Sequence, residues 1–120
     1  MSKISNSKQH YNLEDRTYLF AKNVRIHCKN LPNSLITGED IRQLIRSSGS
    51  IGANYIEANK ALSKKDFLMR VKISRKEAKE SIYWLRLISE TNQNTNQSEA
   101  NKLINEATES LKILSSIIEK

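Results

Sequence analysis

Leu13, Phe20, Val24, Cys28 and Leu31 follow one another at intervals of seven, four, four and three residues, the spacing of one helical face. Asn12 with Asp15 three residues on has the form of an N-cap followed by an acid in the first turn. Pro32 stops the segment, because the residue before a proline avoids the helical region. A second stripe runs through Ile41, Leu44, Ile45, Ser48, Gly52, Tyr55, Asn59 and Leu62, introduced by Thr37 with Asp40 three later. Ser63 with Asp66 repeats that signature ahead of a third stripe of Phe67, Val71, Ser74, Ala78, Ile82, Leu85 and Ile88. The polar run TNQNTNQS at 91–98 reads as a linker. Asn96 with Glu99 then opens a fourth stripe of Ala100, Leu103, Ile104, Ala107, Leu111, Leu114, Ile117 and Ile118. The pattern predicts helices over about 13–31, 38–62, 64–91 and 97–119, with 1–11 as a disordered tail. No segment alternates as a strand does, and there is no solenoid-length repeat. Helices of this length with short connections predict an all-α, antiparallel up-and-down four-helix bundle over 12–120.

The stretch SSGSIGANYIEA at 47–58 breaks a rule. Two of the chain's three glycines, Gly49 and Gly52, lie inside a helical pattern, where each costs about 0.5–1 kcal/mol relative to alanine. At about 100° per residue Ser48 and Gly52 fall on the inward seam, and Gly49 falls on a flank beside Arg42, Arg46 and Ala53. Small residues on a seam admit a neighbouring helix closely, and the added packing offsets the loss. A phosphate-cradling loop is the competing reading. GSIG lacks the longer glycine pattern and the GK[ST] ending, and it follows no strand. A kink at Gly49 stays open.

The third helix has three sides. With Phe67 at zero, the core stripe lies within about 60° of it, and Lys65, Lys72, Arg75, Lys76, Lys79 and Arg86 fall between about 80° and 180°. Ile73, Trp84 and Leu87 lie at about −100° to −160°, interleaved with Glu77 and Glu80. One side of a bundle helix faces its own core, so a second apolar strip points to a subunit contact anchored on Trp84. The alternative is that these residues lie under another part of the same chain. The basic ribbon likewise has two readings: a solvated face with local Lys–Glu pairing, or a surface for a polyanion. Were the faces to adjoin, Arg42 and Arg46 of the second helix would enlarge the cationic patch.

Composition narrows the rest. A chain of 120 residues, 38% hydrophobic and 28% charged, fits a single domain with a core. No apolar run approaches a bilayer span, and the opening MSKISNSKQHYN has no apolar region of a secretory signal. A lone cysteine, Cys28, excludes an internal disulfide and suits a reducing cytoplasm. The net charge of +7 is uneven: residues 63–93 carry eight Lys/Arg against four Asp/Glu, and residues 1–36 carry six against two. Residues 37–62 are balanced, and 94–120 are one charge acidic. Candidate chemistry is sparse. His10 falls in the tail, and adjacent His27 and Cys28 point to different faces with no second ligand pair, so no metal or cofactor is expected. His27 reads as a surface or boundary residue, Cys28 as a buried, inert thiol, and Glu57 as a surface carboxylate. No nucleophile elbow occurs. The expectation is that the protein is not an enzyme.

RSSGSIGANYIEA at 46–58, ALSKKDF at 61–67, SRKEAKESIYWLRLI at 74–88 and LEDRTYLFAKNVR at 13–25 together resemble the small four-helix-bundle proteins encoded within intervening sequences of bacterial large-subunit ribosomal RNA genes. The likeness runs from Leu13 onward, outside the linker at 91–98. It implies an antiparallel bundle assembling as a ring-shaped homopentamer, and it supplies no catalytic motif. A related bundle, the accessory variability determinant of diversity-generating retroelements, is a basic pentamer that associates with a reverse transcriptase and nucleic acid. By similarity Arg42, Arg46, Lys72, Arg75, Lys76 and Lys79 would contribute to the charged surface here.

Two functions follow as expectations. The first is a cytoplasmic, non-enzymatic homo-oligomer that binds RNA or DNA through Arg42, Arg46, Lys65, Lys72, Arg75, Lys76, Lys79 and Arg86, with Ile73, Trp84 and Leu87 at the subunit interface. The second is a protein-interaction scaffold whose basic surface meets an acidic partner such as a reverse transcriptase.

Overall fold

Each helix starts where a side-chain oxygen can take up a free backbone N–H. In the computed structural model, which describes residues 12–120, Asn12 Oδ1 accepts from the Asp15 N–H at 2.8 Å and opens α1, Leu13–Cys28. Ser63 Oγ accepts from the Asp66 N–H at 3.1 Å at the head of α3, Lys64–Thr91. Asn96 Oδ1 accepts from the Glu99 N–H at 3.0 Å at the head of α4, Gln97–Glu119. The expected tail at 1–11, with His10, lies outside the described residues.

The second helix departs from expectation at both ends. α2 spans Leu35–Asn59, against about 38–62 from the pattern. Its cap is Ser34, whose Oγ accepts from the Thr37 N–H at 3.1 Å, so Thr37 belongs to the first turn. The hydrophobic stripe could not show this, because Leu35 and Ile36 are 83% and 73% exposed and mark no inward face. At the other end Leu62 belongs to the connection and is fully exposed. α1 also ends earlier than expected, at Cys28, with Leu31 packed against the core from the following turn.

Side-chain contacts fix an antiparallel order. Between α1 and α2, Asn59 Nδ2 donates to Glu14 Oε2 at 2.8 Å and Arg25 Nη2 to the Ile45 carbonyl at 3.3 Å, so rising numbers in one helix meet falling numbers in the other. Between α2 and α3, Arg70 donates to Asn54 at 3.0 Å, Ser74 Oγ to the Ile51 carbonyl at 2.7 Å, and Ser47 and Ser81 share a bond at 2.9 Å. Ser89 donates to Gln97 at 2.6 Å where α3 turns into α4. Arg16 makes a two-pronged contact with Glu106 at 2.9 and 3.0 Å that closes α4 onto α1. The result is an all-α bundle in which each helix touches two neighbours and the diagonal pairs do not meet.

The core is apolar along its axis: Phe20, Val24, Leu44, Ile51, Val71, Leu85, Ile88, Leu103 and Leu114 are buried. The α2–α3 contact is different, built on Ser47, Ser74 and Ser81, all buried, with Ser48 buried on the adjoining side of α2. Each hydroxyl finds a carbonyl, as in Ser48 to Ile45 at 3.2 Å and Ser81 to Glu77 at 2.9 Å, so small polar residues sit inside without unmet bonds.

Both glycines now have reasons. A β-carbon on Gly52 would stand 2.8 Å from Thr17 Oγ1 and 3.2 Å from Thr17 Cβ, so α1 approaches α2 through the space that the missing side chain leaves. Thr17 is held there by its own hydroxyl, which donates to the Leu13 carbonyl at 2.9 Å. At Gly49 the neighbour is Arg25 Nη2, 3.3 Å from the β-carbon position, as that guanidinium crosses α2 to reach Ile45. α2 runs through both glycines without a break in the helix. Gly52→Ala is therefore expected to lower unfolding free energy by about 1–3 kcal/mol, the range for overpacking. Gly49→Ala should leave stability within about 1 kcal/mol, because the mobile end of Arg25 can shift while helix propensity improves. Urea titrations of the two variants check the contrast.

Candidate nucleic-acid interface

The hydrogen bonds that seat α3 also orient its other sides. Arg70, Ser74 and Ser81 all bond to α2 and lie between about −20° and −60° on the wheel used above. That flank of α3 therefore faces α2, and Glu77, Trp84, Ile73 and Glu80 follow it outward. Lys65, Lys72, Arg75, Lys76, Lys79 and Arg86 turn the opposite way, outward and toward α4. Arg42 and Arg46 on α2 are thus separated from the α3 ribbon by the acidic and aromatic strip. The structure brings together the α3 cations but does not add the α2 pair to them.

Within the ribbon Lys65, Lys72, Lys76 and Lys79 are exposed and Arg75 is half-buried. None of these five has an ion pair among the described residues. Arg86 reaches Glu90 at 3.7 Å and Arg42 reaches Glu39 at 3.4 Å, both in solvent, where such pairs contribute little. The neighbouring helix explains why the ribbon stays unneutralised. Three of the four glutamates of α4 turn the other way: Glu106 holds Arg16, Glu109 acts on Arg16 and pairs with Lys112 of its own helix, and Glu99 acts on His27 of α1. The side of α4 beside α3, marked by Gln97, continues at helical spacing through Ile104, Thr108, Leu111 and Ser115, none of them acidic, and meets its one acid, Glu119, at the last residue of the helix.

Sequence reasoning missed one member of this face. Tyr83 lies at about 160° on the same wheel, in line with Lys72, Lys76 and Lys79 at steps of four, three and four, and is 60% exposed. Its ring meets Trp84 edge to face with centroids 4.9 Å apart and planes at 86°. The signal was in the same wheel arithmetic, had aromatic residues been placed on the basic side as well.

The second apolar strip divides. Trp84 is half-buried and packs against the core, so its own chain supplies contacts for it. Ile73 and Leu87 are half-exposed. A larger apolar surface lies on α1 and α2, where Tyr18 is 71% exposed and Leu19, Ile26 and Ile56 are also open. Tyr18, Ala21, Ile26, Gly49, Ala53 and Ile56 line a groove of about 760 Å³, bordered by Lys22, Arg25 and Lys29. The core stripe of α1 passed over it, although Leu19 and Ile26 are seven residues apart and share an outward face.

Three titratable groups are shifted by burial. His27, expected at the surface, is only 6% exposed. It lies between α1 and the head of α4, and burial holds its imidazole below the usual histidine range, against the pull of Glu99. The expectation failed because His27 lies one residue before the Cys28 stripe position, on the side that meets α4. The Cys28 thiol is pushed up to about 11 by burial, which suppresses thiolate chemistry. Glu77 is raised by burial and by Glu80, against Lys76 and Arg46, and its Oε1 is buried without a partner among the described residues. Among those residues no cluster of three or more His, Cys, Asp or Glu could hold a metal, and no helix is long and apolar enough to cross a membrane.

Fold and site together define a class: small all-α bundles with a row of exposed cations along one helix. The chain belongs to the 23S rRNA-intervening sequence protein family, whose model matches residues 9–116. It is similar to a crystal structure of a protein of unknown function from the S23 ribosomal protein family of Bacteroides thetaiotaomicron VPI-5482. The two are 33% identical with a TM-score of 0.80, over 91% of this chain and all of that one. No curated protein matches the chain in sequence.

Because Glu77 has its folded pKa above the unfolded one, its protonation favours the fold, and that stability is lost as pH rises through the carboxylate range. Glu77→Gln should raise the melting temperature at pH 7, by up to about 1 kcal/mol in stability. The gain should vanish below about pH 4, as thermal melts across pH would register.

Proposed function

We propose that this protein is a non-enzymatic, cytoplasmic, homo-oligomeric bundle that binds RNA or DNA through the outward side of α3. One observation carries the reading: Lys65, Lys72, Arg75, Lys76 and Lys79 share a face and make no ion pair among the described residues, while Glu106 and Glu99 of α4 are directed at α1. Cations that no neighbouring carboxylate occupies are available to phosphates, and phosphate contacts dominate sequence-independent affinity. Arg86 extends the row, and its solvent-exposed pair with Glu90 yields readily. Arg42 and Arg46 form a separate, weaker patch across the α2–α3 flank.

The apolar groove of α1 and α2 supports a protein contact at a second surface. Tyr18, Ile26 and Ile56 leave hydrophobic area in water that a second copy or an acidic partner would cover, with Lys22, Arg25 and Lys29 at its border. Ile73 and Leu87 offer a further half-exposed strip for the same purpose. A scaffold for an acidic protein such as a reverse transcriptase is the second reading that this groove favours.

Retardation of labelled RNA and DNA over a salt series tests the first reading. Affinity should fall steeply with salt, and Lys72→Glu, Lys76→Glu and Lys79→Glu together should abolish binding at moderate salt for all sequences alike. Salt-insensitive binding would reject it. Light scattering after size exclusion addresses assembly separately. A mass several times 13.8 kDa is expected, reduced by Ile26→Glu, whereas a monomer at micromolar concentration would remove the oligomer from the reading.

A further inference from the structure

We infer that Tyr83 is a base-stacking platform at the end of the lysine row, so that the nucleic acid this face takes presents unpaired bases. The inference rests on the reading of α3 as a phosphate-binding face and narrows its ligand to single strands, including loops of structured RNA.

Lys72, Lys76, Lys79 and Tyr83 occupy successive turns of one helix side, so neighbouring side chains start about 5–6 Å apart. Three cations followed by an exposed aromatic ring is the pairing that single-strand binders use: charge tracks the backbone, and a ring takes the face of a base whatever its identity. Tyr83 is suited to this in two respects. It is 60% exposed although it is a large ring beside a half-buried tryptophan, so its surface is open. Its edge-to-face contact with Trp84, at 4.9 Å and 86°, fixes the ring through a neighbour that packs against the core. A held ring loses less freedom when a base stacks on it than a free one does.

The geometry also selects against duplex. Bases within a double helix are stacked on one another and show only their edges in the grooves, and protein aromatics stack on bases that are splayed out. A ring standing on the convex side of a helix, in line with phosphate-binding lysines, meets a base only where the strand is unpaired.

The test is fluorescence anisotropy with a labelled twelve-nucleotide single strand, as RNA and as DNA, and a duplex of the same length. The full chain is compared with Tyr83→Ala, Tyr83→Leu and Tyr83→Phe over a salt series. Wild type should bind the single strand more tightly than the duplex. Tyr83→Ala should weaken single-strand binding by about ten- to a hundredfold, leaving the salt slope and duplex affinity unchanged. Tyr83→Phe should stay within about twofold of wild type, since the π-face is kept. Tyr83→Leu retains an apolar contact for Trp84 and should match alanine, which decides the matter if the alanine variant folds poorly. Salt-dependent binding that is indifferent to Tyr83, or an equal loss on single strand and duplex, overturns the stacking role while leaving the lysine face intact. A wild type that binds neither overturns both.

Discussion

Everything on the outside of this bundle is oriented by how closely α2 lets its neighbours approach. Gly52 admits Thr17 of α1 into the space of a missing β-carbon, and Ser47 admits α3 on the other flank through a hydroxyl that meets Ser81 and the Leu44 carbonyl. Small residues with satisfied hydroxyls bring backbones together without leaving buried polar groups unpaired. The propensity lost at glycine is offset by dispersion contacts along the whole seam. Because those bonds fix the rotation of α3 about its own axis, they also decide which of its sides reach water.

That rotation gives the charge distribution its meaning. α3 presents Glu77, Glu80 and Trp84 along the α2 flank and Lys65, Lys72, Lys76 and Lys79 along the other, while Glu106 and Glu99 of α4 act on Arg16 and the His27 end of α1. Lys65, Lys72, Lys76 and Lys79 are left without an ion pair among the described residues, so a modest net charge becomes a directed field. Glu77 shows the opposite condition: between Arg46 and Lys76 yet partly buried, it holds its proton more tightly than an ordinary carboxylate. Charge at the protein surface here is a matter of which helix a residue leans toward, more than of how many charges the chain carries.

Membership of the 23S rRNA-intervening sequence protein family agrees with the likeness carried by RSSGSIGANYIEA and SRKEAKESIYWLRLI. The similar S23-family structure shares the fold, and its function is unknown. The functional reading therefore rests on the physics of the surface: an open row of cations with an aromatic ring at its end, and an apolar groove between α1 and α2.

How much was legible in the sequence follows the range of the interactions concerned. Helix faces, the caps at Asn12, Ser63 and Asn96, and the inward place of Gly52 were readable, because periodicity and capping depend on residues within a turn or two of each other. Ser34 escaped because the apolar residues of its first turn, Leu35 and Ile36, are exposed, and a cap without an apolar inward stripe leaves no periodic trace. A wheel gives the angle of a side chain but not the identity of the helix standing at that angle. The separation of Arg42 and Arg46 from the lysines, the burial of His27 against α4, the core contact of Trp84 and the turning of Glu99 and Glu106 to α1 all depend on which helix packs on which flank. Contacts between residues dozens of positions apart settle that, and only the tertiary structure contains them.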